Sequence, residues 1–256
     1  MTLHLAMWSG PRNISTAMMR SFENRADCTV SDEPLYAYYL ARTGLEHPMR
    51  EDVIRSQPTD WQTVASELTG SCPTAIWYQK HMTLHLLDEV GRDWLAELTH
   101  AFLIREPAEV AISYHKARPD PTLEDLGYPQ QSALYQHALG LGQEPVILDA
   151  REVLQHPEAA LRALCVGVGI PFDPAMLSGP AGPRASDGVW APHWYHNVWR
   201  STGFAPPSPP LTDAQVPDEL RSVVAAARPY YRAMWQRRTR FSRVAAERTI
   251  GPSWNR

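Results

Sequence analysis

The feature that most constrains the fold lies at the start of the chain, between Leu3 and Phe22. An apolar run, Leu3 to Met7, leads through Trp8-Ser9 into Gly10-Pro11-Arg12-Asn13, and then Ile14, Ala17, Met18, Ser21 and Phe22 follow at helical spacing. That order predicts a strand, a tight loop and a helix. A helix that begins directly after such a loop aims several unpaired backbone N–H groups and its positive dipole end at one spot, which attracts phosphate or sulfate. Arg12 adds a positive charge there, and Ser15 and Thr16 add hydroxyl donors. On these residues alone an anion site and an ordinary strand-to-helix connection with a surface arginine are both open.

Short β-prone runs then recur at residues 29–32, 75–79, 100–104 and 145–149, separated by helical spacing at 35–40, 61–68, 83–90, 108–115 and 131–140. A further amphipathic helix opens at His156-Pro157-Glu158 and turns Leu161, Leu164 and Cys165 to the core. Pro107 suits the first turn of the helix it opens. Strands alternating with helices predict an α/β fold of three layers, a mostly parallel central sheet flanked by helices. Residues 116–130, rich in proline and acid, read as an exposed excursion. Periodicity disappears over 178–210, where glycine, proline, histidine and tryptophan dominate; so many large aromatics predict a segment packed over the body or over a ligand. Residues 218–248 again read as helical, with Tyr230, Tyr231, Met234 and Trp235 packing inward and Arg237, Arg238, Arg240 and Arg243 forming a solvated face. The expected organisation is one domain over 1–256: an α/β core to residue 177, a covering loop over 178–210 and a C-terminal helical segment over 211–256.

Charge narrows the partners. With 24 basic and 28 acidic residues the net charge is −4, so no global field recruits nucleic acid or an anionic membrane, and any anion site must be local. Cys28, Cys72 and Cys165 are few, odd in number and far apart, which speaks against a disulfide framework or a zinc cluster and for buried thiols in a reducing compartment. The first residues lack a basic stretch, their apolar run is broken by His4, and no apolar run is long enough to span a bilayer. The expectation is a cytoplasmic protein.

Three segments, in order, resemble the sulfotransferase family, whose donor is 3′-phosphoadenosine 5′-phosphosulfate (PAPS, released as PAP) and whose fold is similar to the P-loop kinases. Pro11-Arg12-Asn13-Ile14-Ser15-Thr16 lines up with the family's Pro-(Lys/Arg)-Ser-Gly-Thr-Thr loop, which holds the 5′-phosphosulfate. Phe102 to Tyr114 resembles the segment that binds the 3′-phosphate, with an arginine at a strand end and a serine eight positions later, here Arg105 and Ser113. The serine lies about two helical turns along, so both groups can converge on one phosphate. Residues 145–177, with Gly169-Ile170-Pro171-Phe172-Asp173-Pro174, are similar to the strand and helix that close the family's core. Trp199-Arg200-Ser201-Thr202-Gly203-Phe204 sits where the family has a late loop over the 3′-phosphate and adenine, although it lacks the usual Arg-Lys-Gly. Other departures are Asn13 for a serine, Ile14 for a glycine, which denies the loop glycine's extra conformations, and Lys80-His81 where many members have Lys-Thr-His.

The resemblance implies roles. Arg12 would meet the bridging and leaving oxygens, Asn13, Ile14, Ser15, Thr16 and the loop backbone the 5′-phosphate, and Arg105 and Ser113 the 3′-phosphate, with Arg200, Ser201, Thr202 and Gly203 beside them. Two bases are open: His81, near an expected strand end where α/β sites are built, with Lys80 assisting at the sulfuryl oxygens; and Glu33, which resembles the glutamate after the second strand in the carbohydrate-type branch. Tyr36, Trp77, Tyr78, His193 and Trp194, with Glu33, would line the acceptor pocket, joined by Tyr39, Trp190, Tyr195, His196 and Trp199. Such aromatic walls suit a small apolar, aromatic or quaternary-ammonium acceptor. No metal site is expected. The rivals are a P-loop kinase using ATP and magnesium through Asp149 with Ser15 or Thr16, and a nucleotide-binding protein that has lost catalysis.

Overall fold

In the computed structural model, which describes residues 2–241, the core is a single sheet of five strands, all parallel, in the order β2-β3-β1-β4-β5. Strand β1 (Leu3–Ser9) feeds α1 (Ser15–Glu23), and β2 (Cys28–Asp32) is followed by α2 (Tyr36–Thr43), α3 (Arg50–Ser56) and α4 (Trp61–Leu68). Next come β3 (Ile76–Met82), β4 (Thr99–Ile104), α5 (Pro107–His115), α6 (Leu123–Leu126) and α7 (Tyr128–Gly140). After β5 (Val146–Asp149) lie α8 (Ala150–Gln155), α9 (Pro157–Gly167), α10 (Ala191–Trp194), α11 (His196–Trp199) and the long α12 (Asp218–Gln236).

Parallel strands are covered on both faces, so each strand divides its side chains between two cores. On β1, Leu5 and Met7 face α1 and α9 with Met18, Phe22, Leu161 and Leu164, while Ala6 and Trp8 face the opposite layer with Val64, Leu134 and Met234. Fully burying a side chain of this size contributes about 1.5–3 kcal/mol. The chain turns back at β1, which is central, so the loop at its C-terminal end lies where ligands bind in such sheets. Gly10 is needed there for close approach: a Cβ would stand 2.6 Å from the backbone oxygen of Leu126. Gly10→Ala should therefore destabilise by about 1–3 kcal/mol, read as a Tm several degrees lower; an unchanged Tm would mean the α6 turn simply yields.

Several expectations change. Residues 83–90 form only a 3-10 turn, Thr83–His85, because Leu84 and Leu86 are needed in different cores. The excursion at 116–130 is half structured: a Thr122–Asp125 capping box starts α6, Gly127 (φ 75°) ends it, and Leu126 and Tyr128 are buried. Helix α12 stops at Gln236, and the part of the helix expected beyond 241, with Arg243, lies outside the described residues. Arg238 is not on a solvated face; it donates to both Glu152 carboxylate oxygens and stacks on Trp235. Of the cysteines only Cys165 is buried, Cys28 and Cys72 being half-buried, and all are free. The 178–210 segment packs as a cover, with Trp190, Ala191 and Tyr195 buried. No helix among the described residues is long and apolar enough to cross a membrane.

Candidate active site

The loop between β1 and α1 is shaped by backbone conformation. Arg12 (φ 56°) and Ile14 (φ 48°) both lie in the left-handed region, so Ile14 does adopt the conformation expected to need glycine, at the cost a β-branched residue pays there. Two left-handed residues either side of Asn13 curl successive N–H groups toward one concavity. Ile14 offers no side-chain cap to α1, leaving that helix's first N–H groups to whatever occupies the cavity. Asn13 ties the loop to β4 by donating to the Leu103 carbonyl oxygen.

Three residues singled out for phosphate binding meet here. Arg12 Nε donates to Ser113 Oγ at 3.0 Å, and Arg105 Nη1 donates to the Arg12 carbonyl oxygen at 2.7 Å. Arg105 is also paired with Glu109, whereas Arg12 has no carboxylate within ion-pair distance among the described residues. Burial, then the nearby Arg105 charge, holds the Arg12 guanidinium below its ordinary value. Two neighbouring cations, one unpaired and partly desolvated, form a site that gains from an anion.

Beyond the loop lies a buried charge cluster. Lys80 Nζ donates to Asp32 Oδ1 (2.8 Å), Glu33 Oε1 (2.6 Å) and the Tyr195 hydroxyl (2.6 Å), and Tyr195 donates to Asp32. The Lys80 and Asp32 side chains are 1% and 2% exposed; Glu33 reaches the cavity at 13%. Burial pulls the Lys80 ammonium down, but Asp32 and Glu33 outweigh it and raise it well above its ordinary value. Glu33 is pushed up by burial and by Asp32 against the pull of Lys80. Its φ of 43° at the end of β2 is another strained position at the site.

Two adjoining cavities of about 290 Å³ each share Ile14, Ala17, Arg105, Asn197 and Val198. One is lined by the loop, Ser15, Thr16, Ser113, Glu33, Tyr36, Lys80, Trp194 and Tyr195. The other lies under the late segment, with Ser201, Thr202, Gly203 and Phe204 over Arg20, Ser21 and Glu109.

His81 is not at either cavity. β3 runs on to Met82, and its alternation sends Lys80 to the cavity and His81 to the opposite layer, stacked on Trp8 at 4.3 Å, with its Nε2 3.2 Å from Gln79 Oε1. Burial, then the neighbouring His100, pushes its imidazole down to about 3. The same alternation corrects the pocket: Tyr78 stacks in the core on Phe22, and Trp77 donates to Ser31 beside a different depression. His193, His196 and Arg200 are exposed and line neither cavity. Tyr39 stacks on His85, Trp190 is buried with its Nε1 on the Tyr195 hydroxyl, and Trp199 donates to Asp187. Asp149 caps α8 by accepting from the Arg151 and Glu152 N–H groups and from Tyr231, which leaves its carboxylate occupied.

Sequence reading missed His47, His85, Tyr114, Arg118, Asn197 and Val198, all of which line the loop cavity. Arg118 lies in the 116–130 segment that the sequence reads as an exposed excursion.

An uncapped helix N-terminus and an unpaired arginine at the C-terminal end of the central strand of a parallel sheet are features suited to an anion. The family model of the sulfotransferase domain matches residues 3–238, and the chain belongs to the sulfotransferase family. It is similar to branched-chain-amino-acid aminotransferase-like proteins 1 and 2 of Arabidopsis thaliana, 38% and 36% identical over 201 residues. Those residues are 78% of this chain but 36% of each relative, so the chain spans about a third of their length. Among solved structures it resembles a sulfotransferase of Alicyclobacillus acidocaldarius (TM-score 0.56, 10% identity, covering 92% of this chain and 96% of that one). It also resembles the sulfotransferase domain of the Synechococcus PCC 7002 olefin synthase (TM-score 0.52, 15% identity, 87% and 93% covered). At these identities the two structures speak for the fold.

Proposed function

We propose that the protein transfers a sulfuryl group from PAPS to a hydroxyl or amine of a small-molecule acceptor by in-line displacement. The observation that carries this is the shared cavity: unpaired Arg12 and the uncapped N-terminus of α1 face the same space as the Glu33–Lys80 pair. PAPS supplies the activated sulfuryl group and a phosphate leaving group. Arg12 meets the bridging and leaving oxygens; Ser15, Thr16 and the N–H groups at Asn13 and Ile14 hold the 5′-phosphate. Arg105 and Ser113 hold the 3′-phosphate, and the nucleoside extends into the adjoining cavity under Ser201–Gly203, which gives Arg105 contact with both spaces. Glu33, rather than His81, takes the acceptor proton, since it alone of the two reaches the cavity. Lys80 steadies charge on the moving group, its ammonium kept protonated by Asp32.

Calorimetry with adenosine 3′,5′-bisphosphate and with ATP plus magnesium tests the donor. The bisphosphate should bind, and Arg12→Ala should weaken it about 10²-fold or more, consistent with losing a charge-assisted anion contact in a partly dry site. Tight binding of ATP–magnesium alone would overturn the donor assignment. Donor binding with no sulfation across a panel of phenols, alcohols and amines would favour a binding protein without catalysis.

A further inference from the structure

The far end of the loop cavity, away from Arg12, carries features the transfer chemistry does not use. Tyr36, at the start of α2, has its hydroxyl 2.8 Å from His47 Nδ1, and His47 Nε2 contacts Arg118 Nη1. Guanidinium nitrogens only donate, so Nε2 must accept, and the neutral ring's proton sits on Nδ1 and is donated to the Tyr36 oxygen. Burial, with the Arg118 charge alongside, keeps that ring neutral by pushing it down to about 4. The Tyr36 O–H is thereby released to donate into the cavity. Burial chiefly pushes the Tyr36 hydroxyl up, the Glu33 charge adds to this and the Arg118 charge opposes it.

Arg118 has no carboxylate within ion-pair distance among the described residues. Independently, His85 lines the same cavity, is 3% exposed, and is stacked on Tyr36 (4.6 Å) and Tyr39 (4.8 Å), yet its Nδ1 has no hydrogen-bond partner. A buried, unpaired imidazole nitrogen is costly and points to a missing partner. The lining also includes the apolar side chains of Met82, Leu84 and Val198.

From this order of groups, and resting on the sulfotransferase reading of the cavity, we propose that the acceptor is an amphiphilic anion. Its hydroxyl sits at Glu33–Lys80, its apolar body lies along Met82, Leu84 and Val198, and a carboxylate or phosphate at its other end pairs with Arg118 and gives His85 Nδ1 its missing partner. This narrows the aromatic-walled pocket of the sequence reading: the walls are apolar, but the end is cationic, which disfavours a quaternary-ammonium acceptor.

Matched pairs test the charge. Hydroxyphenylpropanoate against its primary amide, and hydroxyphenethyl phosphate against hydroxyphenethyl alcohol, are titrated calorimetrically into the protein with and without adenosine 3′,5′-bisphosphate. At least one anion should bind about 10-fold or more tighter than its neutral partner, and the pair that shows it identifies carboxylate or phosphate. Arg118→Gln should collapse that preference to near unity without changing the neutral partner's affinity, and Arg118→Lys should restore part of it. Equal binding within both pairs, no binding by any anion, or a preference that survives in Arg118→Gln overturns the proposal. The two readings fail separately: a charge preference without sulfation of the same compounds would count against the transferase mechanism alone, and sulfation of neutral acceptors with no charge preference against this proposal alone.

Discussion

Glu33→Gln should lower kcat about 10²- to 10⁴-fold, the range for losing a general base, while adenosine 3′,5′-bisphosphate binds as it does to the unaltered protein. Glutamine keeps an oxygen for Lys80 Nζ, so the 2.6 Å hydrogen bond and the cavity's shape survive. It also removes one of the two carboxylates that share a single buried ammonium, leaving Asp32 and Lys80 matched in charge. Breaking a buried pair is costly when a charge is left alone; here none is, so Tm should hold or rise. Loss of turnover at unchanged Tm and unchanged donor affinity is thus the signature of a base, and a kcat within about 3-fold of the starting value would reject Glu33 in that role. The acid limb of the pH–rate profile should report the Glu33 carboxyl, displaced upward by burial, and should vanish in the variant.

Acid should unfold this protein early. His81, His85 and His100 are buried and neutral: burial pushes His81 to about 3, His100 to about 4 and His85 well below its ordinary value. Their hydrogen bonds suit the neutral ring. His100 accepts from Trp8 Nε1 and can donate from Nε2 to the Leu95 carbonyl oxygen. A histidine with its folded value below 6.5 binds fewer protons in the fold than in the unfolded chain, so its contribution is intact above 6.5 and is lost as pH falls. Each pH unit below that costs about 1.4 kcal/mol per histidine, or roughly 6 kcal/mol for His81 and His100 near pH 4.5, with His85 acting in the same direction, which is comparable to the whole stability of a domain. Glu33 and Asp149, displaced upward chiefly by burial, act with the opposite sign, while His47, pushed down to about 4, adds to the histidine side. Thermal melts between about pH 7 and 4.5 should show a steep fall in Tm, and His81→Gln should flatten part of it. A level Tm over that range would show that these rings are charged in the fold.

Much of the fold was legible because period-2 apolar runs and their turn residues are local signals. Each run that became a strand was visible, as was the anion loop, since Gly10, Pro11, Arg12 and the helical spacing after Ile14 lie within a few residues. The Arg105 and Ser113 pair followed from one helix's pitch. What failed was the assignment of faces. Lys80 and His81 are adjacent, and sequence offers no way to tell which side of a doubly covered sheet holds the cavity; that is set by Trp8, 73 residues away in β1, taking His81 against its own ring. Ile14 misled for a different reason, since rules of backbone preference describe cost and not impossibility. Arg118 reaches the site from the segment after α5, whose conformation depends on packing, whereas Tyr195, already counted among the pocket walls, lines the cavity from the cover between Trp190 and Lys80.

The central place of β1 also governs the order of assembly. Its neighbours β3 and β4 lie at residues 76–82 and 99–104, and with no hairpin partner nearby the strand can gain no ladder until one of these distant segments arrives. Such long loops must close before any contact rewards them, which makes folding slow. The loop after β1 hangs from this central strand and is fastened to β4 through Asn13, so its strained backbone is imposed only once the sheet around it exists. Binding competence and completion of the central sheet should therefore appear in the same kinetic phase of refolding.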